Sequence, residues 1–197
     1  MKGNKSSTHF GARKIKSLKL SAYVANIGGR GGCKLPQLQA RTYDADFIIL
    51  NETNTHPGNE ASIALNCAGV ALSDGGKSHQ HCGFGTVVLS RAFNPDCDTI
   101  VHRGTEHEIS AIRRKISDNC HMVVIGVYLS PNAGTSTTDS FFAKVENLVK
   151  KYKSDDLILL AGDFNAPVGS TRFSKLEKLS SKFQGFRVVD DCTRGSN

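Results

Sequence analysis

The sequence predicts an α/β protein, and three observations lead to that prediction. The first is the apolar run LILLA at residues 157–161, which follows two acidic residues and has the length and composition of a buried strand. The second is a segment at 138–152, where apolar residues recur at the three-four spacing of a helix. The third is size, because 197 residues with 39% hydrophobic content suffice for one domain with a sizeable core.

Further segments have strand character, as short apolar runs or as alternating apolar and polar residues. The predicted strands cover residues 18–25, 46–50, 69–72, 83–90, 108–116, 121–129, 157–161 and 186–189. The segment at 108–116 alternates imperfectly, and we expect one of its faces to meet water. The segment at 157–161 is expected to be buried on both faces and to end at Gly162.

Three segments are predicted to be helical, and they cover residues 35–43, 138–152 and 171–183. Pro36 is expected in the first turn of the first helix, where a proline is tolerated. Thr138 or Asp139 can cap the second helix with a side-chain oxygen. The third helix is basic.

A glycine-rich loop at 28–32 contains Arg30. It matches neither the phosphate-binding P-loop nor the dinucleotide-binding fingerprint. The chain has no internal repeat and no linker, so residues 18–197 are predicted to form one domain. Residues 1–17 are predicted to be a disordered basic leader.

The charge of the chain indicates an affinity for polyanions. The formal net charge is +7 and the pI is about 9.2, which favours nucleic acid first and an anionic membrane surface second. Nine basic residues precede the first acidic one, Asp44: Lys2, Lys5, Arg13, Lys14, Lys16, Lys19, Arg30, Lys34 and Arg41. Such a run is also typical of a solvated tail without a specific partner, and that alternative stays open.

The six cysteines have no C-x-x-C spacing, and the chain contains neither a signal peptide nor an apolar run long enough to cross a bilayer. We therefore predict an intracellular protein with free, mostly buried thiols and no membrane partner, and for a protein acting on DNA the nucleus is also considered. The segment His79-Gln80-His81-Cys82 is interpreted as a polar loop, because no second ligand pair stands at zinc spacing.

Polar residues of related chemistry stand at the ends of several predicted strands, and they are Asn26, Glu52, Tyr128, Asp163 and Asn165. In open α/β sheets ligands bind at the carboxyl ends of the strands, so we expect these side chains to share one pocket. Carboxylate and amide oxygens suit Mg²⁺ or Mn²⁺, and a basic surface suits a phosphate. The predicted reaction class is metal-assisted phosphodiester hydrolysis.

Each of these five residues also has a plainer interpretation. Asp163 and Asn165 are turn formers, and Asn26 can be a turn residue at the end of a strand. Glu52 can be a surface residue, and Tyr128 can be a core tyrosine with a satisfied hydroxyl. The coincidence of all five favours the site.

Several motifs carry a resemblance to a known family. Asn26 is followed in order by ILNET at 49–53, GTVVLS at 85–90, VYLSPNAG at 127–134 and GDFNAP at 162–167. Together they resemble the endonuclease/exonuclease/phosphatase superfamily, which implies a four-layered α/β sandwich with two central mixed β-sheets flanked by helices. The segment TRGSN at 193–197 is similar to one in the endonuclease domain of non-LTR retrotransposons, which resembles apurinic/apyrimidinic endonucleases.

The resemblance implies roles for the strand-end residues. Glu52 would be the principal ligand of a divalent metal, Mg²⁺ or Mn²⁺, with Asn26 assisting it. Asp163 and Asn165 would position the attacking water and the scissile phosphate. Tyr128 would donate a hydrogen bond to a phosphate oxygen.

Asp190 matches the carboxylate that orients a catalytic histidine in the family, but Asp191 beside it leaves a solvated strand-end acid as an alternative. Contacts to nucleic acid are predicted for Arg30, Asn132 and Arg172. No small-molecule cofactor is expected.

The sequence departs from the family at its C-terminal end. The closing Asp-His motif is absent before the last residue, Asn197, and none of the seven histidines follows His121. We therefore expect a sandwich that is incomplete at the C-terminus. The favoured explanation is that the chain is a truncated copy or fragment of a longer element, and the alternative is that a partner supplies the missing part. Loss of a general base typically lowers the rate by ~10²–10⁴-fold.

Three functional hypotheses follow. The first is a Mg²⁺-dependent DNA endonuclease domain of retrotransposon type that nicks one strand, with reduced or absent turnover. The second is a non-catalytic nucleic-acid-binding remnant that uses the basic leader and the third helix. The third is a phosphatase acting on small phosphoesters, which would share the same metal chemistry.

Overall fold

The computed structural model describes residues 19–29, 31–73 and 84–183 of the chain. Some predictions lie outside the described residues: the leader at 1–17, Arg30, the loop at 79–82, the strand at 186–189, Asp190 and the segment at 193–197.

The described residues contain eight strands, three α-helices and one short 3₁₀ helix. The strands are β1 Ala22–Asn26, β2 Phe47–Asn51, β3 Gly69–Leu72, β4 Val87–Ser90, β5 Thr99–Arg103, β6 Glu108–Ser117, β7 Cys120–Tyr128 and β8 Asp156–Asp163. The helices are α1 Gly31–Arg41, α2 Thr135–Tyr152 and α3 Thr171–Lys182, with the 3₁₀ helix at Glu60–Ile63.

The strands form two mixed four-stranded sheets. Sheet A has the order β1-β2-β4-β3, and sheet B has the order β5-β6-β7-β8. In sheet A the β1–β2 pair is parallel, and in sheet B the β7–β8 pair is parallel. The remaining neighbours are antiparallel. Each sheet therefore has one parallel pair whose carboxyl ends lie side by side.

The two sheets pack face to face with helices on the outside, which confirms the α/β sandwich. The layer between the sheets contains Phe47, Ile49 and Val88 from sheet A, and Ile112 and Val124 from sheet B. The outer face of sheet A packs against α1, and the outer face of sheet B packs against α2 and α3. Burial of the apolar side chains between the sheets and beneath the helices is the main stabilising contribution to the fold.

Most predicted strands are confirmed, with shifted ends, and β3 has the predicted bounds. The predicted wet face of the 108–116 segment is wrong for its first half, because residues 108–112 are buried. Ile109 packs with the helices on one face, and Ile112 packs with sheet A on the other.

The strand around LILLA is less buried than predicted. β8 is mostly half-buried, and Leu157 is 53% exposed, because within the described residues β8 pairs only with β7. Gly162 does not end the strand, which continues to Asp163. β5 was not predicted from the sequence, since its mostly exposed residues follow no clear alternation.

Two helices begin earlier than predicted. α1 begins at Gly31, so that Pro36 lies in its interior and not in its first turn. Packing of the buried Leu38 against sheet A favours the helix despite the hydrogen bond that a proline removes. α2 begins after Gly134, and Thr138 is a buried residue within the helix and not its cap. α3 is confirmed, with the Ser170 side chain accepting a hydrogen bond from the Phe173 N–H.

No helix among residues 19–29, 31–73 and 84–183 is long and apolar enough to cross a membrane. Cys67, Cys97 and Cys120 are free thiols, as predicted, but they are half-buried and not mostly buried.

Candidate active site

Three of the predicted site residues meet where the carboxyl ends of the parallel strands lie. Asn26 ends β1, Glu52 directly follows β2, and Asp163 ends β8. The Asn26 Nδ2 atom lies 2.8 Å from Glu52 Oε1 and 3.2 Å from Asp163 Oδ2. One amide group therefore donates to two carboxylates that come from different sheets.

The orientation of the Asn26 amide follows from its neighbours. Its Oδ1 atom accepts a hydrogen bond from the Gly28 N–H at 3.0 Å, which leaves the NH₂ group for the carboxylates. Asn26 contacts Glu52 through nitrogen, so the amide must rotate before its oxygen can serve as the predicted metal ligand.

Asn165 completes the second side of the cluster. Its backbone N–H donates to Asp163 Oδ1 at 2.9 Å, and its side-chain Nδ2 donates to the Leu129 carbonyl at 2.9 Å. Its φ of 43° lies in the left-handed region, which asparagine tolerates better than most residues. Asp163 therefore accepts hydrogen bonds on both carboxylate oxygens.

Tyr128 lies beside Asp163 in the parallel register of β7 and β8. Its side chain is buried, with 3% relative exposure for the residue. This burial fits the alternative of a core tyrosine, and a hydrogen bond from Tyr128 to a phosphate stays a prediction.

The two described residues with predicted nucleic-acid contacts differ in their surroundings. Asn132 lies on an exposed turn after β7. The Arg172 guanidinium donates to four backbone carbonyls, those of Ser130, Pro131, Ala133 and Asn165, at 2.7 to 3.3 Å. These contacts give Arg172 a structural role, and its contact to nucleic acid stays a prediction.

Asn51 was not selected from the sequence, although it lies next to Glu52. It is 1% exposed, and its side chain contacts Thr86, Val127 and Asp163. A polar residue at the end of a strongly apolar run is the signal that marks it. Glu108 was also missed; it is buried and accepts hydrogen bonds from the Gly85 and Thr86 N–H groups and from the Ser73 hydroxyl.

The donor set of the cluster fits a hard divalent cation. Within the described ranges no three acidic, histidine or cysteine side chains are grouped so as to hold a metal ion. Glu52 and Asp163 nevertheless converge on one hydrogen-bond donor, so positive charge is favoured between them. Mg²⁺ is often held by one or two carboxylates with water completing its shell, and this cluster offers that number.

A shallow groove lies on the β2–β3 loop, which follows Glu52 in the chain. It is lined by Asn54, Thr55, His56, Gly58, Asn59, Ala61 and Ser62. The His56 ring lies 4.5 Å from the Phe84 ring, centroid to centroid, and is tilted by 43°. The groove is therefore lined largely by polar residues. It also contains one ring, that of His56, which packs against Phe84.

The fold and the cluster define the class of protein: an α/β sandwich with two mixed sheets whose acidic and amide side chains gather at the carboxyl ends of the parallel strands. The chain belongs to the endonuclease/exonuclease/phosphatase family, whose model matches residues 25–194. Members of this family act on phosphoesters or nucleic acids and generally depend on a divalent metal.

The solved structures agree on the fold. Among those that match is ANGEL2, described as a 2',3'-cyclic phosphatase, with a TM-score of 0.52 and 17% sequence identity. The match covers 83% of this chain and 52% of the ANGEL2 chain, so this chain spans about half the length of that protein. A comparison with curated protein sequences finds no match.

Proposed function

We propose that the chain carries a divalent-metal site for phosphodiester hydrolysis in DNA, of the kind used by non-LTR retrotransposon endonucleases to nick one strand. The observation that carries the proposal is the Asn26 amide, which holds the Glu52 and Asp163 carboxylates together across the two sheets. In this proposal Mg²⁺ or Mn²⁺ is the cofactor, and a nuclear location is implied by the substrate.

Each residue of the cluster has a defined task in the proposal. When bound, the cation would neutralise charge on the phosphate and polarise water. Glu52 would hold the cation, and Asn26 would keep the two carboxylates at a fixed spacing. Asp163, whose oxygens accept from Asn26 and from the Asn165 N–H, would orient the attacking water. Asn165 lies beside the phosphate.

The surroundings favour an anionic, extended substrate. The Lys34 Nζ atom donates to the Ile27 carbonyl at 2.5 Å, which places a cation beside the Asn26–Gly28 turn. The groove around His56 begins at Asn54, two residues after Glu52, and would give a neighbouring nucleotide a polar surface. A net charge of +7 adds a long-range attraction to polyanions.

A phosphatase acting on small phosphoesters is the second candidate, because ANGEL2, which shares the fold, is described as a 2',3'-cyclic phosphatase. Both candidates use the same metal site and differ in substrate size. A non-catalytic nucleic-acid-binding protein is the third, and it would bind DNA without a metal and with a steep salt dependence.

The test is plasmid nicking with the protein in excess over supercoiled DNA, in Mg²⁺ and in Mn²⁺. We expect nicking that depends on the added metal. Asp163→Asn and Glu52→Gln should each lower the rate by about 10²-fold or more. Asp118→Asn is the matched control, because this carboxylate is 97% exposed and pairs only with Lys115 in the salt bridges of the described residues.

The outcomes separate the three candidates. Nicking that requires the metal and both carboxylates supports the endonuclease. Hydrolysis of a nucleoside 2',3'-cyclic phosphate without nicking favours the phosphatase. DNA binding that survives EDTA, with no hydrolysis of either substrate, contradicts a catalytic role.

A further inference from the structure

Asn51 occupies a buried position at the point where the two sheets meet beneath the candidate site. It is the last residue of β2, and it is 1% exposed. Its Nδ2 donates to the Val127 carbonyl and to Thr86 Oγ1, both at 3.0 Å. Its Oδ1 accepts from the Asp163 backbone N–H at 3.2 Å.

These three contacts use both N–H bonds of the side-chain amide and one acceptor site of its oxygen. They run from sheet A to the adjacent parallel strands β7 and β8 of sheet B, and to the segment that precedes β4. A buried amide with all its donors satisfied has one favourable orientation, because an unpaired polar group in this position would cost stability. The side chain of Asn51 is therefore fixed.

The main chain of Asn51 leads directly into Glu52, and its side chain holds the backbone of Asp163. The two carboxylates of the cluster are thus tied to a single residue, one through a peptide bond and the other through a hydrogen bond. The Asn26 amide joins the same carboxylates at their oxygens. Asn51 therefore contacts the backbone that carries these carboxylates, and Asn26 contacts their oxygens.

We propose that Asn51 is a positioning residue that sets the distance between the Glu52 and Asp163 carboxylates. The proposal rests on the proposed metal site only for its functional consequence. Loss of a group that orients metal-binding residues typically weakens metal affinity by about 10–100-fold.

A merely structural residue would affect stability alone, so the test needs a matched control. Thr86→Val removes one acceptor of the Asn51 amide and leaves the Asp163 contact in place. Asn51→Leu removes all three hydrogen bonds at similar volume. Asn51→Ser is the milder second variant, because its short hydroxyl group leaves the Asp163 N–H without its acceptor.

Two measurements on the substrate-free protein decide the question. Mn²⁺ titration followed by electron paramagnetic resonance should show affinity about 10-fold weaker or more in both Asn51 variants, and within 2-fold of the parent in Thr86→Val. Amide hydrogen exchange should become faster at Asp163 in the Asn51 variants only.

The result that overturns the proposal is equal Mn²⁺ affinity and equal Asp163 exchange in the Asn51→Ser and Thr86→Val proteins. Absence of Mn²⁺ binding to the parent protein would contradict the proposed metal site instead. In that case exchange at Asp163 still reports whether Asn51 positions this residue, so the two failures are distinguishable.

Discussion

The candidate site is built from residues in backbone conformations that most side chains avoid. Glu52, Asn54 and Asn165 have φ values of 53°, 51° and 43°. Such conformations cost of order 1–3 kcal/mol each and persist where the surroundings hold them. Around Glu52 the surroundings are hydrogen bonds from the Gly29 N–H to the Glu52 carbonyl at 2.6 Å and from the Thr53 N–H to the Gly85 carbonyl at 3.1 Å.

Gly162 makes the approach of β8 to β7 possible next to Asp163. Its φ is 141°, and an added Cβ would lie 1.9 Å from the Val127 carbonyl oxygen. We expect Gly162→Ala to lower the free energy of unfolding by about 4 kcal/mol, since it combines backbone strain with a clash against main chain. Urea unfolding of the purified protein measures this loss.

The control is Gly169→Ala. This glycine also has a positive φ, 83°, but its added Cβ would meet no atom within 4 Å. Strain alone should cost about 1–2 kcal/mol. Equal decreases in the free energy of unfolding of the two variants would mean that the clash with Val127 does not destabilise the protein.

At the level of secondary-structure elements, the spacing of apolar residues predicts an element well where that element is long and amphipathic or strongly apolar. β7 and α3 were predicted nearly to their ends because their patterns are unambiguous. β5 has mostly exposed residues, so no pattern marks it. The early start of α1 depends on packing against sheet A, which local sequence does not encode.

The site was predictable to a similar extent. Asn26, Glu52, Asp163 and Asn165 could be selected because strand ends carry ligands, and the structure brings them together. Asn51 carries one local signal, a polar residue at the end of an apolar run, but its role depends on contacts with residues 35 to 112 positions away in the chain, which the local sequence does not reveal.

Arg172 joins the start of α3 to the turn after β7. Its guanidinium makes four hydrogen bonds to carbonyls, a number that a lysine ammonium with three donors cannot reproduce. We expect Arg172→Lys to lower the free energy of unfolding by about 2 kcal/mol. Thermal or urea unfolding measures the change.

Arg103→Lys provides the comparison, since this arginine is largely exposed and contacts only Glu60 and the Val70 carbonyl among the described residues. Arg103→Lys should lower the free energy of unfolding by no more than about 0.5 kcal/mol. If Arg172→Lys keeps full stability but loses DNA affinity, the predicted contact to nucleic acid is the correct interpretation.

The packing of β5 and α2 predicts a pH dependence of stability. Burial lowers the pKa of His102, and Lys144 and Lys151 lower it further. Burial also lowers the pKa of His107, with Lys144 adding to the effect and Glu106 opposing it. Because the unfolded chain then binds more protons below the ordinary histidine pKa, stability falls as the pH drops through that value.

We therefore expect a lower free energy of unfolding at pH 5.5 than at pH 7.5. The double variant His102→Gln, His107→Gln should show a smaller difference between the two pH values, measured by urea unfolding. His56→Gln, at an exposed position, is the control. An unchanged pH difference in the double variant would mean that these two histidines do not cause it.

Across the whole molecule, part of the basic charge is paired with carboxylates of the same chain. On α3, Lys175 pairs with Asp139 at 2.7 Å and Lys182 pairs with Glu146 at 2.5 Å. Hydrogen bonds from Lys150 and Lys182 lower the pKa of Glu146 to about 2. The basic face predicted for α3 is therefore partly neutralised by α2, and less of its charge is left for a polyanion.

The site also depends on how the two sheets sit against each other. Asn26 ends β1 and Glu52 follows β2 in sheet A, whereas Asp163 ends β8 in sheet B. Gly126 lies where the sheets approach closely, and an added Cβ would meet Val88 Cγ2 at 2.6 Å and Ile49 Cγ2 at 3.0 Å.

Gly126→Ala should therefore act on the core and on the site together. Overpacking at the interface should lower the free energy of unfolding by about 1–3 kcal/mol. The neighbours must shift, so the spacing between Glu52 and Asp163 should change and Mn²⁺ affinity should fall. Gly134→Ala, with no atom within 4 Å of the added Cβ, should cost under about 1 kcal/mol and leave the affinity unchanged. Lost stability with unchanged affinity in Gly126→Ala would mean that the hydrogen bonds of Asn26 and Asn51 hold the carboxylates independently of the sheet spacing.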